Sequence, residues 1–195
     1  NGRAEVFLKG AAVKNLSLIL RNGDIIEELR DEVKSFNYDL TIIGGSGKRS
    51  MAHDLVQYID SSIFVVNNFN RKQTYRILLA VDESKGNKRA VKFAVRVAQA
   101  FNIEVDIVSI TNEKRVSEKF HSYSHRAEKM MRRTGVKSKV RFVKGDLVDT
   151  LLDVAGNNHI IIMGRSSQSP LSKFFLGSKP LAVMESCNCP MVIVK

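Results

Sequence analysis

The sequence predicts an α/β protein built on a doubly wound parallel sheet. Residues 76–195 alternate five short apolar runs with four amphipathic segments, the pattern of parallel strands joined by crossover helices. Residues 1–66 repeat the later part of this pattern, which indicates an internal duplication. The unbroken apolar run at residues 160–163 leads into a small-residue loop, as a buried strand does at a ligand-binding edge. We therefore expect two tandem units.

The first half is predicted to hold six elements and a connector. Residues 3–14 show the spacing of an amphipathic helix, and the apolar run at residues 16–20 predicts a strand closed by the turn pair Asn22-Gly23. Asp24 is placed to cap the next helix. The remaining predictions are a helix over residues 25–36, a strand over 40–43, a short helix near 55–59, a strand over 63–66 and a polar linker over 67–73.

The second half is predicted to contain a complete set of alternating elements. Each apolar run is short and rich in β-branched residues, whereas the segments between the runs repeat apolar residues at intervals of three and four. The predicted strands are residues 76–81, 105–110, 140–143, 160–163 and 191–194, and the predicted helices are 90–101, 114–134, 147–155 and 181–184.

The two halves share two motifs but differ in extent. Asn22-Gly23-Asp24 parallels Lys144-Gly145-Asp146, and residues 39–44 parallel residues 159–164. Nothing in the first half matches residues 76–112, so the opening strand–helix–strand is missing there. We expect a partial or divergent unit at 1–70 and a complete one at 74–195. Such a gap predicts either that the chain is part of a longer tandem protein or that strands from elsewhere take the place of those missing from the first unit.

One loop near the C-terminus has the features of an anion site. It runs from Gly164 to Gly177-Ser178, and Lys179-Pro180 opens the following helical segment. Ser178 suits a helix cap, and Pro180 suits the first turn, where an N–H is not needed. A strand, a small-residue loop and a helix start together present backbone N–H groups to an anion such as phosphate.

The net charge of +11 lies in the second half, which predicts an anionic partner there. Residues 113–144 alone hold 11 basic and 3 acidic residues. Without interleaved aromatic residues this stretch indicates a solvated face or an acidic protein partner rather than a specific nucleic-acid surface. We expect no membrane span, and a reducing cytoplasm, because Cys187 and Cys189 are too close in sequence for a comfortable disulfide.

Several other motifs do not lead to a site. Residues 44–50 look like a phosphate-binding P-loop, but Ile42 stands where that motif needs glycine. His121 and His125 have helical spacing but no third metal ligand, and we interpret Cys187 and Cys189 as small buried residues. Ser84 has no histidine partner, so we identify no catalytic constellation.

Taken together, residues 76–195 resemble a complete universal stress protein domain, and residues 1–66 resemble the C-terminal portion of a second, divergent one. The resemblance is carried by residues 77–84, Gly145-Asp146, the stretch 164–178 and residues 189–194. It implies a flavodoxin-like parallel sheet of five strands in the order 3-2-1-4-5, the fold shared with adenine nucleotide alpha hydrolases. It also implies that residues 63–66 and 191–194 pair antiparallel, making the tandem chain a pseudo-dimer, and that further homodimers form.

The resemblance further implies a site for ATP or another adenine nucleotide, with or without Mg, in the second unit and none in the first. Family members that bind ATP use G-x2-G-x9-G-[ST] and an aspartate after the first strand. Here Asp82 would meet the ribose and Val81 and Ile110 the adenine. Ser167 replaces the second glycine, and this substitution weakens phosphate binding by the loop without abolishing it. The implied site residues are Ala80, Val81, Asp82, Ile110, Met163, Gly164, Ser167, Gly177, Ser178 and Lys179.

The resemblance therefore implies a cytoplasmic protein of stress signalling that binds a nucleotide and at most hydrolyses ATP slowly. Two alternatives remain open at this point. One is the regulatory tail of a transporter or antiporter. The other is a nucleotide-free interaction module that uses the basic residues 113–144 to bind an acidic partner.

Overall fold

A computed structural model describes residues 17–44, 49–70, 72–82, 87–112, 118–165 and 178–195. These residues form helices and strands that alternate along the chain, as expected for an α/β protein. The helices are α1 Ile25–Phe36, α2 Arg49–Tyr58, α3 Asn87–Phe101, α4 Glu118–Arg133, α5 Leu147–Ala155 and α6 Ser178–Ser186. The strands are β1 Leu40–Gly44, β2 Ser62–Val66, β3 Arg76–Ala80, β4 Val105–Thr111, β5 Ser138–Lys144, β6 His159–Gly164 and β7 Met191–Val194.

The strands form one mixed sheet of seven, in the order β1-β2-β7-β6-β3-β4-β5. The five strands of the second half are parallel to one another, and β1 is parallel to β2. β2 is antiparallel to β7. The five-stranded parallel sheet implied for one unit is not confirmed as a separate sheet, because the strands of the first half extend it to a mixed sheet of seven.

The contact between β2 and β7 joins the two halves. Ile63 lies opposite Ile193, Phe64 opposite Val192 and Val65 opposite Met191. The antiparallel contact predicted for the last strands of the two halves is present. Continuous backbone pairing across this seam makes the sheet one structure rather than two.

Helices cover both faces of the sheet and give two apolar cores. Alternation along β3 divides its side chains between them: Leu78 belongs to one core, and Ile77 and Leu79 to the other. The core that includes Leu78 also contains residues of α1, α2, α5 and α6. The opposite core is closed by α3 and α4. Burial on both faces explains why the central strands β3, β6 and β7 carry unbroken apolar runs.

The strand predicted for residues 16–20 is wrong where the structure describes it. Ser17 to Leu20 are not part of the sheet, and Leu18, Ile19 and Leu20 are 57%, 51% and 78% exposed. A strand needs a neighbour to satisfy its backbone groups. The outer edge of β1 pairs with no other strand in the described residues, so the strands that would connect it to residues 16–20 are missing. The helix predicted for residues 3–14 lies outside the described residues.

The duplicated Gly-Asp motifs form the same local structure in both halves. Asp24 Oδ1 accepts from the N–H of Ile26 at 2.9 Å and of Glu27 at 3.1 Å, which caps α1. Asp146 Oδ1 does the same at the start of α5, at 2.8 and 3.3 Å. The predicted cap at Asp24 is thus confirmed. The shared spacing reflects a shared requirement for an acceptor at the helix start.

The residues predicted as a linker are anchored to the second half. Asn67 donates a hydrogen bond to the carbonyl of Cys187, and Gln73 donates one to the carbonyl of Asn157. The ring of Phe69 stacks on Tyr75 at 5.0 Å. Cys187 and Cys189 are buried free thiols, as the sequence predicted.

Candidate functional site

The predicted site residues converge at the carboxyl edge of β3, β4 and β6. The strand order switches here, because the chain leaves β3 towards β4 on one side while β6 occupies the other. Leu79 lies opposite Ile162 of β6, and Ala80 lies opposite Val108 of β4. All three strands are parallel and therefore end at the same edge. In open α/β sheets, ligands bind in the crevice at such a switch point.

The floor of this crevice is apolar. Val81 and Met163 are buried, and Ala80 and Ile110 are partly buried. The end of β3 is held in place by the N–H of Val81, which donates to the carbonyl of Val108 at 2.9 Å. Ser109 Oγ donates to the carbonyl of Val81 at 3.0 Å. Val81 belongs to one core and Ala80, Ile110 and Met163 to the other, so apolar side chains flank these strand ends on both faces of the sheet, where a planar ring can pack.

Two polar residues follow β3. Asp82 has an exposed side chain, and its carbonyl accepts a hydrogen bond from Asn87 Nδ2 at 2.8 Å. Asn87, the first residue of α3, is 4% exposed, yet its Oδ1 has no hydrogen-bond partner in the structure of the described residues. A buried acceptor without a donor is costly, so a donor from a ligand or water fits this position.

Asn87 was missed by sequence reasoning. The signal was present: an asparagine stands at the start of a helical pattern, five residues after the strand-end aspartate. Its burial, however, depends on how α3 packs on the sheet, which the pattern alone does not give.

The glycine loop is described only at its two ends. Gly164 is the last residue of β6 and lies opposite Val194. Because β6 and β7 are parallel, the helix between them runs back and begins at the same edge as Gly164. That helix, α6, starts at Ser178, which was predicted as its cap, and Lys179 in its first turn is exposed. Ser167 and Gly177 lie outside the described residues.

The structure thus brings together most of the predicted residues. Ala80, Val81, Asp82, Met163 and Gly164 lie on two adjacent strand ends or just beyond them. Ile110 lies near the end of the next strand, β4. Lys179 belongs to the helix that begins at this edge. The predicted grouping therefore corresponds to one region of the fold.

A second group of charges, also missed by sequence reasoning, lies beside Gly164. Arg165 is half-buried, and its N–H donates to the carbonyl of Val194 at 2.8 Å. Burial lowers the pKa of the Arg165 guanidinium, Asp60 opposes that shift, and Arg89 adds to it. Burial and the neighbouring Arg165 lower the pKa of Lys195 to about 8, whereas Asp60 opposes the change.

A charge network at the opposite edge of the sheet is structural. Arg76 binds both oxygens of the Asp106 carboxylate, at 2.9 and 3.1 Å, and also contacts Glu104. His159 Nε2 lies 3.1 Å from Asp106 Oδ2, and Nδ1 lies 2.7 Å from the carbonyl oxygen of Ala155. These residues occupy the beginnings of strands or the loop before them, away from the crevice.

The pKa of Asp106 reflects this network. Burial raises the pKa of the carboxyl group, but the hydrogen bonds from Arg76 and His159 outweigh burial, and the net pKa is lowered. Asp106 therefore remains ionised. It lies on β4, and its contacts with Arg76 and His159 link β4 to β3 and β6. In the described part of the chain, no group of three His, Cys, Asp or Glu side chains could hold a metal ion.

Comparison with known proteins gives consistent results. The family model described as the universal stress protein family matches residues 74–195. A universal stress protein of Methanocaldococcus jannaschii is 22% identical over 153 residues, which cover 68% of this chain and 90% of that protein.

No helix within the described residues is long and apolar enough to cross a membrane.

Two solved structures resemble nearly the whole chain. A universal stress protein from Archaeoglobus fulgidus has a TM-score of 0.65 at 16% identity, over 87% of this chain and 64% of that one. A protein of unknown function from Pseudomonas aeruginosa has a TM-score of 0.67 at 14% identity, over 99% of this chain and 75% of that one. The chain thus spans less than two thirds of the Archaeoglobus structure. At such low identity these likenesses show the fold.

Proposed function

The chain belongs to the universal stress protein family, and from that premise we propose that its second half binds an adenine nucleotide at the carboxyl edge of β3, β4 and β6. The observation that carries this proposal is a grouping at one switch point of apolar side chains, Asp82 and the Oδ1 of Asn87, which has no hydrogen-bond partner among the described residues. Each part of the grouping matches one part of a nucleoside.

The floor and the polar residues would bind the base and the sugar. Val81 and Ile110 offer apolar surface to the adenine ring, between the ends of β3 and β4. The Asp82 carboxylate can accept hydrogen bonds from ribose hydroxyls. Asn87 Oδ1 needs a donor, and a ribose hydroxyl or the adenine amino group would supply one.

The phosphates would bind at the loop that begins at Gly164. Backbone N–H groups of this loop and of the first turn of α6, at Ser178 and Lys179, would hold the phosphate oxygens, with or without Mg. Ser167 adds a side chain where the family pattern has glycine. We therefore propose a weakened phosphate loop rather than a lost one.

We assign no nucleotide to the first half. The interval from Gly44 to Ser62 is 18 positions, against 26 from Gly164 to Pro190, and the missing residues are those that would carry a Gly-Ser helix start. The chain would thus be a tandem of a degenerate unit, residues 1–70, and a nucleotide-binding unit, residues 74–195. The antiparallel β2–β7 pairing would make the tandem an internal pseudo-dimer.

The proposed role is signalling or stress-protective binding in the cytoplasm, not rapid turnover. Among the described residues of the crevice, Asp82 is the sole carboxylate that we assign to the site. Its proposed role is to bind the ribose, so it is not available as a general base. Without a general base, ATP hydrolysis would be slow at most.

The proposal is tested by titrating the full chain with ATP-Mg in a calorimeter. We expect Asp82→Ala to weaken binding and Ser167→Gly to strengthen it, since glycine restores the family pattern in the phosphate loop. Asp149→Ala, an exposed carboxylate on α5, is the matched control and should bind like wild type. Equal affinities for Asp82→Ala and Asp149→Ala would remove Asp82 from the site.

The basic residues of β5 favour a second candidate function. Lys139 and Arg141 alternate along this edge strand, and both are exposed, as is Lys144. An acidic protein segment could bind here without any nucleotide. Poly-glutamate is a suitable probe: this function predicts binding that weakens with salt and is reduced by Lys139→Gln with Arg141→Gln, together with no effect of ATP on the melting temperature.

A further inference from the structure

Charged side chains of both halves lie within electrostatic range of one another at the seam. Asp60 and Arg89 act on Arg165, and Arg165 and Asp60 act on Lys195. Arg165 follows β6, Lys195 follows β7, Asp60 precedes β2, and Arg89 lies in the first turn of α3. Three of these side chains are cationic and one is a carboxylate. None of the four belongs to the site predicted from the sequence.

The backbone holds two of the cations close together. Gly164 lies opposite Val194 on the neighbouring parallel strand, so Arg165 and Lys195 leave the sheet from adjacent points, about 5 Å apart. The N–H of Arg165 donates to the carbonyl of Val194 at 2.8 Å. The N–H of Lys195 donates to Ser62 Oγ at 3.3 Å, which places Lys195 beside the start of β2.

The charges act on one another. Burial lowers the pKa of Arg165, and Arg89 lowers it further. Burial and Arg165 likewise lower the pKa of Lys195 to about 8. Asp60 opposes both shifts but does not cancel them, and its own side chain is exposed. Half-buried like charges that repel one another reduce stability, and such groups are concentrated at binding sites.

We propose that Arg89, Arg165 and Lys195 form an anion subsite that takes the outer phosphates of an oligophosphate. This inference deepens the proposed function and rests on it for the placement of the ligand. Arg165 immediately follows Gly164, where the phosphate loop begins, and α3 begins five residues after Asp82. A phosphate chain that extends from this crevice towards β7 therefore meets the three cations.

The charge pattern favours an oligophosphate over a monophosphate. Guanidinium groups bind phosphate oxygens in pairs, and two arginines can serve successive phosphates. Asp60 opposes the cations in the absence of ligand and would repel the ligand when it binds. Asp60 is also the contribution of the first half, so the degenerate unit would tune the affinity of the second.

The experiment measures binding of inorganic triphosphate to the full chain by calorimetry, at fixed ionic strength. We expect Arg165→Gln to weaken triphosphate binding about tenfold, as loss of one charge-assisted contact does. Asp60→Asn should strengthen it. Arg132→Gln, in the last turn of α4 and away from the seam, is the matched control and should bind like wild type. Circular dichroism confirms that each variant folds.

A second titration, with adenosine, separates the subsite from the proposed function. Adenosine carries no phosphate, so its affinity should be equal in wild type and Arg165→Gln. If adenosine binds but triphosphate binds equally to wild type, Arg165→Gln and Arg132→Gln, the subsite is wrong and the nucleoside site stands. The opposite outcome is that triphosphate binding depends on Arg165, while adenosine does not bind and ATP binds no more tightly than triphosphate. In that case the proposed function is wrong and the anion subsite stands.

Discussion

Asp106 is the residue on which the charge network of the sheet depends. It is 2% exposed, and its carboxylate contacts both Arg76 and His159. Removing its charge leaves Arg76 with only the more exposed Glu104 as a counter-charge and gives His159 a weaker hydrogen-bond acceptor. We expect Asp106→Asn to lower the free energy of unfolding by about 3 kcal/mol, the lower end of the range for buried ion pairs, because Arg76 is partly exposed.

Urea denaturation at neutral pH measures this cost. Glu104→Gln is the matched control, because Glu104 contacts the same arginine but has a side chain that is 42% exposed. Its loss should cost clearly less than the loss of Asp106, because water screens an ion pair at an exposed carboxylate. Equal costs for the two variants would show that burial of Asp106 does not strengthen its interactions.

The same residue predicts how stability depends on pH. The pKa of Asp106 is lower in the folded protein than in the unfolded chain, where it is about 3.9. Its stabilising contribution is therefore complete above that pH and is lost as the pH falls through the lowered value. Between about pH 6 and pH 3, Asp106→Asn should lose less stability than wild type. Parallel losses in urea titrations at the two pH values would contradict the assignment.

At this scale, local sequence predicts some residue roles and not others. The caps at Asp24 and Asp146 depend on neighbours two and three residues away, so their spacing reveals them. Asn87 and the contact of Arg165 with distant charges depend on tertiary packing. A sequence pattern does not show which backbone carbonyl or charged side chain of another helix or strand a residue will contact in the folded protein.

Helix capping is the clearest determinant at the level of elements. Asp146 accepts two N–H bonds at the start of α5, a helix of 9 residues. We expect Asp146→Ala to lower the free energy of unfolding by about 1 kcal/mol. Asp146→Ser keeps an acceptor and should retain most of the stability, which thermal or urea unfolding can check. If both substitutions cost the same, the side-chain acceptor is not what stabilises this helix start.

Elements also show where periodicity misleads. Residues 17–20 have the composition of a strand but lie outside the sheet and are exposed. An apolar composition forms a strand only where a neighbouring strand is available to pair with it. The runs that became β3, β6 and β7 each have neighbours on both sides. Apolar β-branched sequence therefore predicted strands correctly where the fold provides partners.

In the part of the chain that the structure describes, the sheet ends in two unlike edges. The β5 edge carries several cations, which discourage pairing with another chain. The β1 edge, Leu40–Gly44, has no charged residue, and Ile42 is 63% exposed. We therefore expect self-association through β1, in line with the homodimer implied by the family resemblance.

Sedimentation velocity tests this expectation. Ile42→Lys should shift the protein towards monomer, because a charge on an edge strand opposes pairing. Phe142→Lys, an exposed aromatic on β5, is the matched control and should leave association unchanged. A monomeric wild-type protein at high concentration would rule out this edge as an interface.

At the largest scale, sequence predicted that the halves are related and that their last strands pair, but not that all seven strands form one sheet. The duplication is visible in motifs, and two exposed apolar edges imply a contact. Comparison of the halves reveals that the first half lacks its opening strands, but the extent of the sheet depends on how the remaining strands pack, which the sequence pattern does not give.

The central claim is that the second half binds an adenine nucleotide in the crevice at the end of β3. The most direct measurement denatures the purified chain and identifies the small molecules released, followed by thermal unfolding of the emptied protein with millimolar ATP-Mg. We predict release of an adenine nucleotide, or a rise in melting temperature with ATP-Mg that Asp82→Ala removes. A protein that releases no nucleotide and shows no thermal shift would contradict the claim.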